Sequence, residues 1–296
     1  MRRHFLLLIA TALLGADPSV EFLLVTDTHV VNLAGVHPAL AGARAHFAQT
    51  GTALSAFLSR AAEAPKPDFL LHTGDLTDAF CFDRASGPPV CEGVAVFKPL
   101  LKQIPVPAFL ALGNHDIQTY RQVEGKPAAD YAVAPRARQE WAAAAECFRD
   151  GTYYSFERRA GRARYVFLVL DNGERRLAKD SVFSAAQLTW LRKQVAAQRD
   201  ATLILVMHVP LGEDAYSAEL KSALAGSDRV MLSIAGHRHS DGIEDLEVNG
   251  RRLVQVRTAA FGYGEGNWRR FRLLEEGIEV RPTGRTAQVE RKIPRP

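Results

Sequence analysis

Five short apolar runs in this 296-residue chain each stop abruptly at a polar cluster that contains Asp, His or Asn. Short apolar runs that are bounded by turn residues are typical of buried strands. In open α/β sheets, ligands bind beyond the carboxyl ends of the strands. The five runs therefore predict that polar side chains meet along one edge of a sheet. The runs lie at residues 20–25, 69–71, 108–112, 202–207 and 230–235.

The stretch FLLHTGDLTD, from Phe69 to Asp78, is the most informative of the five. Its apolar residues predict a central strand, and Asp75 follows at the carboxyl end of that strand. Gly74 lacks the Cβ atom that would keep a ligand or another chain segment at a distance. The stretch therefore predicts a close approach to a carboxylate at the middle of the sheet.

The order of the predicted elements indicates the fold class. Strands alternate with helical segments up to about residue 240, and β-hairpins follow over residues 243–281, with Asn249-Gly250 as a hairpin turn. This order favours an α/β (α+β) fold in which two sheets pack together with helices outside. Helices are expected at about 51–63, 94–103, 137–148, 184–197 and 218–224, whereas 117–135 has no clear period and is expected to cover the site.

The composition suits a single globular domain, which we expect over residues 20–282. The chain is 47% hydrophobic and 24% charged, with ample apolar material for a core. Its formal charge of +4 is too mild to predict a nucleic-acid polymer as partner, and it is compatible with a small anionic substrate. Residues 283–296 form a basic, Pro-ended tail that we expect to be solvated and mobile.

Residues 1–16 have the pattern of a secretory signal peptide. A short basic segment at Arg2-Arg3-His4 precedes an apolar segment that ends at Leu14, and small residues follow. The pattern predicts an exported protein, periplasmic or secreted, with no membrane span after processing. An uncleaved anchor and a buried N-terminal strand are the alternatives, and the start also resembles a twin-arginine export signal.

The predicted export bears on the cysteines, because an oxidising compartment permits disulfide bonds. Cys81 and Cys91 flank a Gly-Pro-Pro segment after the central stretch, and in an oxidising compartment they are expected to form a disulfide. Cys147 lies in an Ala-rich helical segment and is expected to be a buried thiol.

Seven residues at or just beyond the strand ends are candidate metal ligands. Taken singly, each has a simpler interpretation, since an Asp can cap a helix and a lone His is commonly a satisfied polar residue. Together they offer two carboxylates, four imidazoles and one amide oxygen, a donor set that suits Mn, Fe or Zn. A structural zinc site made of thiolates is excluded, because the chain has no cysteine cluster. The candidates are Asp27, His29, Asp75, Asn114, His208, His237 and His239.

Five blocks of residues together resemble the calcineurin-like metallophosphoesterase superfamily. They span most of the chain and follow one another in the order typical of that family. The combination is highly specific, although a lone GD or GNHD would not be. The blocks are DTH at 27–29, GDLTD at 74–78, GNHD at 113–116, His208, and GHRH at 236–239.

The resemblance implies a four-layer αββα double β-sandwich and two divalent metal ions. The first ion would be held by Asp27, His29 and His239, and Asp75 would bridge both ions. The second would be held by the remaining three candidates, Asn114, His208 and His237. The implied nucleophile is a hydroxide that bridges the metals.

The resemblance also implies catalytic roles for two residues that do not bind metal. His115 would face the scissile phosphate and donate a proton or a hydrogen bond to the leaving oxygen, and Asp116 would orient the ring of His115. His72 is expected to support the site or the core rather than to bind metal. Several further residues are pocket candidates for which solvated surface is the favoured interpretation: His37, His46, Tyr120, Arg121 and Tyr263.

Departures from the family pattern indicate which branch of the superfamily the chain resembles. The GD block lacks the following Tyr of purple acid phosphatases and the Arg-Gly of serine/threonine protein phosphatases. It looks more like the class III cyclic-nucleotide phosphodiesterase branch. A diester substrate, cyclic-nucleotide or phospholipid-type, is therefore favoured over a monoester, and a broad phosphomonoesterase is the alternative. A non-catalytic relative is a further alternative, but all five blocks are intact.

Overall fold

The computed structural model describes residues 19–61, 65–124, 126–174, 183–212, 215–285 and 287–295. The expected signal peptide, residues 1–16, lies outside the described residues. Within them, no helix is both apolar enough and long enough to cross a bilayer.

The described chain forms fifteen strands and six α-helices, with short 3-10 turns between some of them. The strands are β1 Val20–Val25, β2 Phe69–His72, β3 Cys81–Phe82, β4 Ala108–Leu110, β5 Thr119–Val123, β6 Lys126–Asp130, β7 Tyr154–Ala160, β8 Ala163–Val169, β9 Thr202–Val206, β10 Val230–Ala235, β11 Gly242–Val248, β12 Arg251–Arg257, β13 Arg269–Leu273, β14 Gly277–Val280 and β15 Arg291–Pro294. The helices are α1 Pro38–Arg44, α2 Thr50–Ala61, α3 Gly93–Leu101, α4 Ala134–Ala144, α5 Ala185–Ala197 and α6 Ala215–Ala223.

Two six-stranded sheets carry the fold. One has the order β15-β14-β13-β1-β2-β4, and the other has the order β11-β12-β10-β9-β8-β7. Strands β1, β2 and β4 are parallel, as are β8, β9, β10 and β12. Because parallel strands end at the same edge, the loops that follow β1, β2, β4, β9 and β10 can meet there. A small third sheet, β3-β5-β6, lies beside this edge.

Alternation of side chains along the central strands separates the layers of the core. On β1, Phe22 and Leu24 face the second sheet, whereas Leu23 and Val25 face the helices. The ring of Phe22 stacks on Phe69 with centroids 4.7 Å apart and meets Phe167 of the other sheet edge to face at 5.6 Å. Helices α2, α3 and α4 cover the first sheet, and α5 and α6 cover the second. The expected four-layer α/β sandwich is confirmed.

The structure differs from expectation over residues 119–148, where a hairpin precedes a shorter helix than predicted. Residues 119–130 form the β5–β6 hairpin, and α4 begins at Ala134, where Pro135 occupies the first turn that proline favours. The helix ends at Ala144 because Ala145 is extended, and a 3-10 turn follows. Helix α5 agrees with expectation, since the Ser184 hydroxyl caps the Gln187 N–H.

The prediction of a mobile tail is wrong for residues 291–294. These residues form strand β15, which pairs antiparallel with β14 and buries Ile293 between the two large sheets. The Arg291 guanidinium donates to both carboxylate oxygens of Asp245, on β11 of the other sheet, at 2.7 Å. One apolar side chain and one ion pair thus dock the tail onto both sheets.

The structure confirms the expected disulfide but not the full burial expected for Cys147. Cys81 and Cys91 form a disulfide, which closes the loop beside the sheet edge. Cys147 is a free thiol, and it is only partly buried rather than fully buried. Its surroundings still raise its pKa to about 11, because desolvation disfavours the thiolate.

Candidate metal centre

All seven candidate ligands meet at the shared edge of the two sheets. One group of metal-competent atoms comes from Asp27, His29, Asp75 and His239. A second group comes from Asp75, His208 and His237, and the atoms of each group lie within 4.8 Å of one another. The amide oxygen of Asn114 joins the second group, 3.0 Å from His208 Nε2 and 3.1 Å from His237 Nδ1. Asp75 is therefore common to the two groups.

Five of the seven candidates have a left-handed backbone conformation. Non-glycine residues rarely adopt a positive φ, and an isolated case costs about 1–3 kcal/mol. Only seven non-glycine residues of the described chain do so, and five are candidate ligands. The five are Asp27 (φ 50°), His29 (46°), Asp75 (54°), His237 (66°) and His239 (54°). The chain turns sharply at each strand end, and this strain is concentrated where the metal-competent side chains meet.

Main-chain hydrogen bonds hold the strained loops against one another. The Asp27 N–H donates to the Gly74 carbonyl at 2.9 Å, and the His29 N–H donates to the Asp75 carbonyl at 3.0 Å. At Gly74 an added Cβ would lie 2.7 Å from the Gly113 nitrogen and from His208 Nδ1. The close approach predicted for Gly74 is therefore present, and the neighbours are another chain segment and a candidate ligand.

The surroundings of Asp75 fit a pair of cations. Its Oδ2 atom is buried and has no hydrogen-bond partner in the described part of the chain. Three imidazole nitrogens surround that oxygen: His208 Nε2 at 3.2 Å, His115 Nε2 at 3.8 Å and His29 Nε2 at 3.9 Å. Burial by itself would raise the pKa of Asp75, but the neighbouring imidazoles outweigh burial and hold that pKa well below its usual range. The other oxygen, Oδ1, accepts the His115 N–H at 2.9 Å. The carboxylate is thus charged and buried, and one of its two oxygens accepts no hydrogen bond in the described part of the chain.

Within each group, two imidazole nitrogens approach each other closely enough to share a metal ion. His29 Nε2 lies 3.3 Å from His239 Nε2, and His208 Nε2 lies 3.2 Å from His237 Nδ1. Two lone pairs repel at such a distance unless a proton or a metal ion lies between them. His208 Nδ1 lies 2.9 Å from the Thr73 carbonyl, which assigns the proton to Nδ1 and leaves Nε2 free to bind metal.

Asp78, rather than Asp116, contacts His115. The His115 Nδ1 donates to the Asp78 carbonyl at 2.7 Å and lies 3.6 Å from a carboxylate oxygen of the same residue. That carboxylate accepts hydrogen bonds from Nε and Nη2 of Arg44 and lies 3.3 Å from His29 Nδ1. Burial would raise the pKa of Asp78, but the hydrogen bonds from Arg44 and the nearby imidazole of His29 lower it to about 2. Asp78 therefore contacts His29, a candidate ligand, and His115, the candidate general acid.

Asp116 has different partners from the expected ones. Its carboxylate accepts from the Thr77 N–H at 3.0 Å and from the Gly113 N–H at 2.8 Å. The residue lies in the 3-10 turn His115–Ile117, which directs its side chain back under the loops that carry Asp75 and Asn114. Asp116 braces these loops, and the expectation that it orients the His115 ring is wrong. Burial raises its pKa to about 7.

Sequence reasoning missed the loop after β8. Asn172 accepts from the His208 and Val209 N–H groups at 3.0 and 3.1 Å, and its amide donates to the Val209 carbonyl at 2.8 Å. It thereby fixes the segment that carries a candidate ligand. The signal was present, because Asp171-Asn172-Gly173 follows an apolar strand as the other polar clusters do.

His72 and Tyr120 lie inside the site, whereas Tyr263 lies at its surface. The Nδ1 atom of His72 accepts from the Gly74 N–H, and its Nε2 contacts the Thr28 hydroxyl at 3.0 Å. Burial lowers its pKa to about 3, so its imidazole is neutral at neutral pH. Tyr120, expected on the surface, is partly buried with its hydroxyl 3.4 Å from His115 Nδ1. Tyr263 is 58% exposed, as expected, yet its ring contacts His239 at 5.2 Å.

Known proteins are similar to this chain in sequence and in fold. One curated relative, the acid sphingomyelinase-like phosphodiesterase 3b of Mus musculus, is 25% identical over 199 residues, which is 60% of this chain. The chain matches only 44% of the length of that relative.

Two solved structures share the fold at 14% identity. A dimetal phosphatase from Danio rerio aligns over 95% of this chain and 100% of its own, with a TM-score of 0.64. GAP50, described as the anchor in the inner membrane complex of Plasmodium, aligns over 94% of this chain and 88% of its own, with a TM-score of 0.50. At this identity the likeness shows the fold alone.

A family profile decides the assignment. The profile described as calcineurin-like phosphoesterase matches residues 20–241, which include all seven candidate ligands. The chain belongs to the calcineurin-like phosphoesterase family, a family of metal-dependent phosphoester hydrolases.

Proposed function

We propose that the protein hydrolyses small phosphodiesters with the help of two divalent cations. Asp27, His29 and His239 would hold the first cation. Asn114, His208 and His237 would hold the second, and Asp75 would contribute to both. The observation that carries the proposal is Asp75, whose buried Oδ2 accepts no hydrogen bond in the described chain and lies near imidazoles of both groups.

Each part of the constellation has a chemical task. Mn, Fe or Zn bound there would act as Lewis acids that neutralise phosphate charge and lower the pKa of a water molecule. The Nδ1–H of His115 is held by the Asp78 carbonyl, so the proton for the leaving oxygen must come from Nε2 of the imidazolium form. In that form His115 would present Nε2–H to the leaving oxygen and become a neutral imidazole when the proton is transferred. Arg44 and Asp78 hold this ring and His29 in place, so that no reorganisation is needed during the reaction.

A diester is the favoured substrate. The GDLTD and GNHD blocks support a diesterase, and so does the phosphodiesterase among the curated relatives. The dimetal phosphatase among the structural neighbours supports the second candidate, a monoesterase that uses the same constellation.

We also propose that the protein works outside the cytoplasm. The basic and apolar start of the chain supports export, and the disulfide between Cys81 and Cys91 fits an oxidising compartment. N-terminal sequencing of the secreted or periplasmic protein should find a start between residues 11 and 18. An intact Met1 on the soluble protein would contradict the proposal.

One experiment tests both the metals and the substrate. The full chain is loaded with Mn, Fe or Zn, and metal content is measured together with kcat/KM on 4-nitrophenyl phosphate and bis(4-nitrophenyl) phosphate. We expect two metals per chain and a larger kcat/KM on the diester. A larger value on the monoester would favour the second candidate, and no turnover of either ester by the metal-loaded protein would favour a non-catalytic relative.

A further inference from the structure

Three aromatic rings form a wall beside the first group of candidate ligands. We call this wall, made of His46, Phe47 and Tyr263, the aromatic platform. Phe47 stacks on His29 with centroids 4.6 Å apart, and Tyr263 contacts Phe47 at 5.3 Å and His239 at 5.2 Å. The rings of His46 and Tyr263 are nearly parallel, at 11°, with centroids 5.9 Å apart. The platform thus continues from the metal centre to the surface.

Tyr263 is exposed although its ring contacts three others. Three large hydrophobic side chains are exposed in the described part of the chain, and Tyr263 is the aromatic one, at 58%. An aromatic ring normally buries its faces in a core or an interface. Isolated exposed apolar residues are ordinary, but this ring adjoins a candidate metal ligand. Its free surface is therefore available to a molecule bound at the metal centre.

The platform is fixed relative to the metal centre. Tyr263 ends the 3-10 turn Phe261–Tyr263, and the preceding Gly262 donates its N–H to the Asp27 carbonyl at 3.0 Å. A Cβ at Gly262 would lie 2.8 Å from the Phe47 ring, so the two turns are in close contact. A rigid aromatic surface of this kind can bind a planar group without a large entropic cost.

The candidate acid and the platform contact different neighbours in the metal centre. The ring of His115 contacts His29 at 4.6 Å, whereas Tyr263 contacts His239 at 5.2 Å. A phosphate with two ester arms can direct one arm towards each of these two groups. The arm that departs would face His115, and the arm that is retained would extend over Tyr263.

We propose that the aromatic platform binds a planar aromatic group, such as a nucleobase, on the retained arm of the diester, with Tyr263 as the stacking surface. This inference rests on the proposed function, whose substrate class it narrows. A quaternary ammonium group fits less well, because such groups are recognised by aromatic faces that enclose them. Here His46 and Tyr263 stack in parallel, an arrangement that a further planar ring can extend.

The test uses three diesters that share 4-nitrophenolate as the leaving group and differ in the retained arm. They are thymidine 5′-(4-nitrophenyl phosphate), methyl 4-nitrophenyl phosphate and 4-nitrophenylphosphorylcholine. The metal-loaded wild type should show the largest kcat/KM on the thymidine ester. Tyr263→Leu and Tyr263→Ala should lower the ratio of kcat/KM between the thymidine and methyl esters by about 5- to 100-fold, the range expected for loss of one base–aromatic stack. Tyr263→Phe keeps the ring and should keep the ratio.

Tyr153→Ala is the matched control, because Tyr153 contacts Trp190 of α5 rather than a candidate ligand. It should leave the ratio at the wild-type value. A ratio that is equally unchanged in Tyr263→Ala would overturn the stacking role, as would a wild-type preference for the choline ester. Both results require turnover of diesters and so leave the proposed function intact, whereas absence of turnover on all three esters would overturn the proposed function itself.

Discussion

The carbonyl oxygen of Asp78 accepts a hydrogen bond from Nδ1 of His115 at 2.7 Å, and this contact directs Nε2 of the same ring towards Asp75. The Asp78 carboxylate is in turn held by two N–H groups of Arg44, on a helix that lies 34 residues earlier in the chain. The candidate acid is thus oriented through a chain of contacts that begins in α1.

Arg44→Gln should lower kcat by about 10- to 100-fold, the loss typical of a residue that orients a working group. Without the guanidinium, Asp78 is less firmly held and the ring of His115 can rotate. Arg44→Lys should recover part of the loss, because it keeps the charge but lacks the two-pronged geometry. Arg60→Gln removes an exposed pair with Glu265 and should have no effect. Wild-type kcat in Arg44→Gln would contradict the role.

His115→Ala should lower kcat by about 10²–10⁴-fold while both metals are retained, because the residue is expected to move a proton rather than to bind metal. Burial lowers the pKa of His115, and Asp75 and Asp78 partly oppose this effect. The loss should shrink as the leaving group becomes more acidic, which a series of substituted phenyl esters can measure. An equal loss across the series would rule out proton donation, and loss of metal would make His115 a ligand.

Asp75→Asn should reduce the bound metal to about half or less and abolish nearly all turnover. The substitution removes the negative charge that both groups of imidazoles share, and a neutral amide is a poorer bridging ligand. Asp68→Asn is the control, because Asp68 only accepts a bond from the Glu21 N–H at the surface. Two retained metals with normal turnover would refute the bridging role.

Loss of the Cys81–Cys91 disulfide should lower the free energy of unfolding by about 3 kcal/mol, as expected for a short closed loop. Denaturant titration of Cys81→Ser/Cys91→Ser against the oxidised wild type measures the difference. Reductant should destabilise the wild type but not the double variant. Cys147→Ser removes the free, partly buried thiol and serves as control. Equal stability of the double variant would show that the bond does not constrain the fold.

His72 should make the protein less stable as the pH falls from about 6.5 towards 3. Its folded-state pKa is lowered to about 3 by burial, so the unfolded chain binds more protons at this position throughout that window. Stability therefore rises with pH there. His72→Gln cannot titrate, and its stability should depend less on pH between 5 and 7. Parallel pH profiles for the two proteins would contradict a buried neutral imidazole.

The sequence by itself determined the location of the candidate ligands. Each of the seven follows an apolar run by only a few residues. The alternation that directs Phe22 and Leu23 to opposite faces of β1 is likewise a property of neighbouring residues in the sequence. Parallel strands then bring these positions to one edge whatever the details of packing. Local sequence pattern and residue chemistry were therefore sufficient to predict the layers of the fold and the seven candidate ligands.

Tertiary structure decided which residues support that set. Asp78 and Asp116 are both carboxylates in the matching blocks, and only the direction of the 3-10 turn at His115 gives Asp78 the contact with the ring. Arg44 reaches the site from a separate helix, and β15 joins the first sheet through pairing with β14. These contacts join segments distant in sequence or depend on the direction of a side chain, and neither property is encoded in hydrophobic periodicity or in the spacing of motifs.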